Sequence, residues 1–392
     1  DPRRGTHIGL ASGNVSRLPF APLLAAEGPV AASTAVFGKD STVTVTLGEL
    51  AALVGGELRG DAGIPISGAA TLRECQLGEI TLAADERLAR ELDAARVSAV
   101  LVPEGVACAA VPSIVVPNVH QAFSTIVAHF RPMRDQRGCG VSPAASVSPS
   151  AKLGPDVVIH PMATIGDDVV IGARTIIYPG VHVLAGSTIG EDVSIFPNAV
   201  LYENTKVGDR SVIHAGAVLG AFGFGYETVQ GRHVRGAQLG YVEIGADVEI
   251  GAGTTIDRGT YGATRIGDGT KIDNQVQIGH NCQLGRHNVL CAQVGIAGSC
   301  TTGDYVVMAG QVGISEHVNI GSQVQLAAKA GVKDDLPGNQ AYYGIPARPY
   351  REAMAAIVVL NKLPEMRKDM KRLERQVGKL TESLDEQQKG AA

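Results

Sequence analysis

An aliphatic residue returns at every sixth position from Val141: at 147, 153, 159, 165, 171, 177, 183, 189, 195, 201, 207, 213 and 219. The phase breaks and resumes at Ile244, Ile250 and Ile256. It then breaks again and runs from Ile266 to Val332, with only Thr302 and Met308 departing from Val, Ile or Leu. A period of six fits no helix face. It fits a short strand followed by a tight turn, and Gly, Asn and Asp recur where those turns fall. Three such units close one triangular coil of 18 residues, coils pair at the strand spacing of about 4.8 Å, and the aliphatic ladder fills the prism. The two breaks, at 220–243 and 257–265, are loops expelled from the prism, where a site is most readily built.

Composition agrees with a prism filled by small branched residues. Aromatic residues are 4% of the chain, Trp is absent, and there are 49 Gly. A net charge of −5 gives no whole-molecule reason to expect nucleic acid. No apolar run approaches the roughly 18 residues that cross a bilayer, so no stable membrane insertion is expected. The six cysteines, at 75, 108, 139, 282, 291 and 300, form no CxxC pair and no Cys/His ligand spacing. No metal site or disulfide framework is expected, and the cytoplasm is the default compartment. Cys282 and Cys300 each follow a ladder residue by four positions and are predicted to stack as small interior residues.

Four regions follow. Residues 1–41, rich in Ala, Gly, Ser and Pro, read as a disordered leader; Pro19 and Pro22 interrupt the apolar run at 18–26 and argue against a cleaved signal. Residues 42–138 read as a small α/β domain. Leu47, Leu50, Leu53 and Val54 form a helix face, 98–103 and 113–117 are buried strands, 121–130 is a second helix, and 132–140 is a linker. Residues 139–340 are the solenoid. Residues 341–392 form a helical extension in which Leu363, Met366, Met370, Leu373, Val377, Leu380 and Leu384 alternate spacings of three and four, an association seam that Pro364 begins or kinks. Nine Lys/Arg against four Asp/Glu between Arg348 and Lys379 give either a solvated basic face or a dock for an acidic carrier protein.

Two of the ten histidines stand in unusual contexts: His280 in KIDNQVQIGHNCQLG and His317 in VGISEHVNIG. Two coils separate them to within one residue, which places them on one prism face roughly 10 Å apart. Gly298 lies one coil beyond His280. An imidazole with a backbone N–H one rung away pairs a general base with an oxyanion donor. Spacing alone also allows a tolerated outward histidine, as at His160, His182 and His214.

The strings GAFGFGY (220–226), TTIDRG (254–259), IDNQVQIGHN (272–281) and YYGIPARP (342–349) resemble the UDP-3-O-(3-hydroxyacyl)glucosamine N-acyltransferases of lipid A biosynthesis. The resemblance implies a left-handed parallel β-helix, a homotrimer with sites between prisms, and a uridine-binding N-terminal α/β domain. It also implies a cytoplasmic enzyme that takes its acyl group from the phosphopantetheine of acyl carrier protein, with no other cofactor. The expected reaction moves a 3-hydroxyacyl chain to the 2-amino group of UDP-3-O-acyl-glucosamine, giving UDP-2,3-diacylglucosamine. His280 aligns with the catalytic base, His317 with a second active-site histidine and Gly298 with the oxyanion amide. Phe224, Tyr226, Asp257 and Asn274 are candidate substrate contacts. The chain departs from the family before Gly-Phe-Gly-Tyr, where an Asp is common and this chain has Phe222 preceded by Ala221, and at 78–92, where Leu82 and Leu88 replace the rings that hold uracil. Three rivals remain: a related O-acyltransferase or acetyl-CoA-dependent acetyltransferase, a metal hydratase with three converging histidines, and a non-catalytic scaffold.

Overall fold

The computed structural model of the chain describes residues 44–92, 96–106, 108, 111–132 and 139–389, with side chains to residue 381. The leader at 1–41 and the linker positions 133–138 lie outside the described residues.

Helix α1, Leu47–Val54, opens the N-terminal domain with a capping box in which Thr46 and Glu49 satisfy each other's backbone N–H groups. Five strands form one sheet in the order Glu57–Arg59, Ser113–Val116, Ala99–Pro103, Glu79–Leu82 and Gly68–Ala69. The two central strands pair in parallel through Val100↔Ser113 to Pro103↔Val116, and both are buried on each face. A short helix α2, Glu86–Arg90, and α3, Val119–Phe130, complete the domain. Leu82 and Leu88, at positions where the resemblance implies nucleotide-holding rings, instead pack against the domain's two apolar clusters.

The solenoid obeys the 18-residue arithmetic. Val158–Ile159, Ile176–Ile177, Ser194–Ile195 and Val212–Ile213 stack as parallel rungs one coil apart. Three sheets of 11, 10 and 9 strands make the prism faces. Ladder residues from Ile159 onward are buried except the half-buried Thr302, whereas Val141 and Leu153 are 46% and 36% exposed at the open end, where no coil lies beneath them. Corner residues such as Asp156, Asn198 and Asn204 adopt φ of 57°, 62° and 62°, the left-handed turn that short polar side chains tolerate. The expelled loops leave the register intact. Val207 pairs with Ile244, 37 positions on, and Ile256 with Ile278, 22 positions on.

Residues four past the ladder point inward and cap the corners. Thr175 Oγ1 donates to Gly190 O at 2.8 Å and Thr254 Oγ1 to Asp273 O at 2.8 Å. Cys282 and Cys300 occupy the same column. Their thiols lie 3.1 Å from Ala297 O and 3.0 Å from Ser315 O, so they serve as the sulfur counterparts of those hydroxyls.

Ala341–Tyr343 pairs with Gln325–Leu326 as a final rung, which carries the solenoid past the expected limit at 340. Helix α4, Tyr350–Lys389, follows and runs 40 residues. Pro364 therefore sits inside it and does not begin it; the ring removes one i−4 hydrogen bond, a loss that solvent around an exposed helix repairs. Leu363, Met366, Met370, Leu373, Val377 and Leu380 are exposed along one stripe. Among the described residues no helix is long and apolar enough to cross a membrane.

Candidate active site

His280, Gly298 and His317 meet at one corner of the prism, between the sheet that holds Gln277–Ile278, Gly295–Ile296 and Gly313–Ile314 and the sheet that holds Gln283–Leu284, Thr301–Thr302 and Asn319–Ile320. The corner is laddered by main chain: Ser299 N donates to His280 O at 2.8 Å, and His317 N to Gly298 O at 3.1 Å. The His280 ring lies over Gly298. A Cβ on that glycine would stand 2.6 Å from Cε1 and 2.7 Å from Nε2. Among the described residues the Gly298 N–H has no hydrogen-bond partner, so a donor is left free beside an imidazole.

His317 does not occupy the column of His280 and Gly298. With φ of 61° it belongs to the left-handed turn column of Asn281 (62°) and Ser299 (61°) one residue on. That one-residue offset in the spacing is a change of corner position, and it leaves the His317 side chain exposed.

The expelled loops supply the other walls. Arg258, only 7% exposed, fastens both loops: Nε donates to Gly220 O at 2.7 Å, Nη2 pairs with Glu203 Oε2 at 2.8 Å, and the guanidinium lies 5.2 Å from the Phe222 ring. The first loop then brings Gly223 against His280, where a Cβ would stand 2.7 Å from Cβ and 2.9 Å from Cδ2. Gln238 lies buried beneath it, with Oε1 unpartnered against Gly223. From the second loop Thr260 holds Asn281, whose amide Nδ2 is 3.0 Å from His280 Nδ1. Gly223, Gln238, Thr260 and Asn281 escaped the sequence reading. Asn281 at least lies inside the motif that revealed His280.

Asp257 ends the strand Thr255–Asp257 and accepts from Gln277 Nε2 at 3.3 Å. Burial pushes its carboxyl up, while the Gln277 bond and nearby His280 pull it down. Phe224 and Tyr226 touch edge to face at 5.1 Å and are 86% and 51% exposed, outside the His280 clamp. Asn274 stands at the preceding corner, where its Oδ1 accepts from Ala252 N at 2.7 Å. Among the described residues no cluster of His, Cys, Asp or Glu is arranged to hold a metal ion.

A groove of about 610 Å³ runs along the sheet face from Gln277 past Gly295, Gly313 and Gly331 to Ile345 and Pro346. Ala297 and Ser315, chain neighbours of Gly298 and of the corner that holds His280, line its edge. The three glycines pair rung to rung, and Gly295 and Gly313 have nothing within 4 Å of where a Cβ would be. The result is a long, bare, mostly apolar trough ending beside His280.

Residues 64–129 match the family model described as UDP-3-O-(3-hydroxymyristoyl) glucosamine N-acyltransferase, LpxD. Residues 150–185, 186–221 and 263–298 match the bacterial transferase hexapeptide model. The chain is 54% identical over 322 residues to the UDP-3-O-acylglucosamine N-acyltransferase of Rhodopirellula baltica, covering 82% of this chain and 84% of that one. It is 45% identical over 341 residues to the enzyme of that name from Syntrophotalea carbinolica, covering 87% and 99%. A third relative, UDP-3-O-acylglucosamine N-acyltransferase 1 of Legionella pneumophila (strain Paris), is 44% identical over 342 residues, covering 87% and 97%.

Proposed function

The chain belongs to the UDP-3-O-acylglucosamine N-acyltransferase family, and from that premise we propose how its own residues carry the transfer. It is an acyltransferase of the lipid A pathway. The substrate is a UDP-3-O-acyl-glucosamine whose 2-amino nitrogen attacks a 3-hydroxyacyl thioester. The N–C bond forms, the C–S bond breaks, and the amine proton passes through His280 to the departing thiolate. Such proton handling contributes about 10²–10⁴ in rate. The free Gly298 N–H receives the oxyanion of the tetrahedral intermediate, an interaction of about 3 kcal/mol. The thioester is already activated, so the reaction calls for no metal and no covalent enzyme intermediate.

The observation that carries this reading is the His280 imidazole lying over a glycine whose amide is unpartnered, at the mouth of a bare trough. The trough suits the acyl chain, since alkyl carbons gain most where no side chain or backbone polar group competes for the surface. His317, two coils from His280 at the same corner, suits the phosphopantetheine arm or the sugar phosphates. Phe224 and Tyr226, exposed on the first expelled loop, suit contacts with the acceptor, as do Asp257 and Asn274. The donor is acyl carrier protein, docked on the basic face of α4 where Lys368, Lys371, Arg372, Arg375 and Lys379 line one surface. The exposed stripe of α4 and the open flank of the prism suit a homotrimer, and a carrier-protein donor places the reaction in the cytoplasm.

The test is an assay of purified protein with UDP-3-O-acyl-glucosamine and acyl carrier thioesters of graded length, read by mass spectrometry. Diacylated product is expected, with at least a hundredfold loss in His280→Ala. Undiminished transfer by that variant, folded, removes His280 from the mechanism.

A further inference from the structure

The hydrogen bonds around Asn281 decide which nitrogen of His280 carries the proton. A backbone N–H only donates, and Thr260 N lies 2.7 Å from one end of the Asn281 amide, so that end is Oδ1. The other end is therefore Nδ2, which lies 3.0 Å from Thr260 Oγ1 and 3.0 Å from His280 Nδ1. An amide nitrogen also only donates, so Nδ1 must accept. A neutral imidazole has one donor and one acceptor nitrogen, and the proton is consequently on Nε2, the atom that faces Gly298. A ring in that state offers a hydrogen-bond donor to the reacting centre and has no lone pair there.

We propose that Asn281 is a positioning residue that sets the tautomer of His280, holding the ring as Nε2–H in the resting enzyme and arming it as a base when the amide turns over. This rests on the reading of His280 as the proton-transfer group. With the amide turned, Oδ1 accepts from Nδ1–H and the Nε2 lone pair is free. The ring's proton is exchanged through solvent from one nitrogen to the other, with no net gain or loss. Turning brings Nδ2 against the Thr260 N–H, two donors face to face, so the armed state is the minor one. Gly298 packs close to Cε1 and Nε2 and Gly223 close to Cβ and Cδ2, so the ring has little room to swing away. The arrangement matches that of a catalytic triad in which an amide in place of the carboxylate enforces the tautomer without an Nε2 lone pair, at a large cost in rate.

Asn281→Asp separates these states. A carboxylate accepts from all three neighbours, Thr260 N–H, Thr260 Oγ1–H and His280 Nδ1–H, so the armed tautomer becomes the ground state. The experiment is nitrogen NMR of the full chain labelled with ¹⁵N-histidine, with the His280 signals assigned by their loss in His280→Gln, together with steady-state kinetics. The neutral wild-type ring is expected to show an unprotonated Nδ1 and a protonated Nε2. In Asn281→Asp the pattern reverses and kcat rises severalfold, with KM within twofold. A wild-type ring protonated on Nδ1 overturns the proposal, as does a folded Asn281→Asp with the tautomer unchanged or with kcat at or below the wild-type value. The wild-type spectrum needs neither turnover nor the variant, so it decides the tautomer even if the variant does not fold. If His280→Ala keeps full activity while the spectrum is as expected, the functional reading fails and the tautomer assignment stands.

Discussion

Gly223 and His280 come so close that a Cβ on the glycine would lie 2.7 Å from His280 Cβ and 2.9 Å from Cδ2. Together with Gly298 against Cε1 and Nε2, this leaves the imidazole little room to yield to a methyl group at either glycine. Gly223→Ala and Gly298→Ala are each expected to displace the imidazole and lower kcat by about 10²-fold, the scale of losing one catalytic donor. Neither glycine has a positive φ, so alanine does not strain the backbone conformation itself and the cost falls on the packing against His280. Gly262→Ala, in the second expelled loop with open space around its Cβ position, is the control and should stay within twofold of wild type. Steady-state kinetics beside a melting curve for each variant check this, and a fully active Gly298→Ala would refute the clamp.

The trough predicts a second effect. Gly295, Gly313 and Gly331 succeed one another a rung apart, about 4.8 Å, the length of roughly four methylenes. Gly313→Met would fill the trough at its second rung, so the preferred acyl chain should shorten by about two to four carbons while kcat on the shorter donor is retained. Competition between donors of graded length, read as product masses, checks it. An unchanged preference would place the chain elsewhere.

The ladder, the 18-residue stacking, the pairing of His280 with Gly298 and the interior column of Cys282 and Cys300 were legible in the sequence, because each follows from counting along one repeat. His317 shows the limit of counting. A remainder of one residue moved it from the column of His280 into the left-handed turn column. The clamp and the Thr260–Asn281 relay were not legible, because they depend on the paths of two expelled loops, and a loop carries no period from which a neighbour can be predicted. Pro364 left the start of α4 open between two readings for a different reason. Proline disfavours a helix interior by about 3 kcal/mol or more, and a 40-residue helix running in solvent absorbs that.

Asp257 carries a pH signature. Burial raises its carboxyl above the usual carboxylate range, the opposite of a salt-bridged acid. The folded state then binds its proton more tightly than the unfolded chain does. Above the raised value the charged carboxylate destabilises the fold in full, and below the unfolded value, near 3.9, that penalty is gone. Asn still accepts from Gln277 Nε2, so Asp257→Asn should melt above wild type at pH 7. The gap should narrow as pH falls through the carboxylate range toward 3. Calorimetry across that window checks the sign, and a variant that melts lower than wild type at pH 7 would mean that the contacts of the charge outweigh its desolvation.

The basic face of α4 offers the last prediction, one that separates a dock from a solvated surface. Lys371 and Arg375 are four residues apart on one helical face, flanked by Lys368, Arg372 and Lys379. Charges meeting an acidic partner across water act mainly on encounter and are screened beyond about 10 Å at 0.1 M salt. Lys371→Glu/Arg375→Glu should therefore raise KM for a donor carried on acyl carrier protein by about tenfold at low salt. Added salt should raise the wild-type KM and bring the two proteins together. The same acyl group on free pantetheine never meets α4 as a protein surface, so its kcat and KM should be untouched. Equal losses with both donors would mean that the substitution disturbs the fold or the assembly, and no loss with either would leave the basic face as a solubilising surface only.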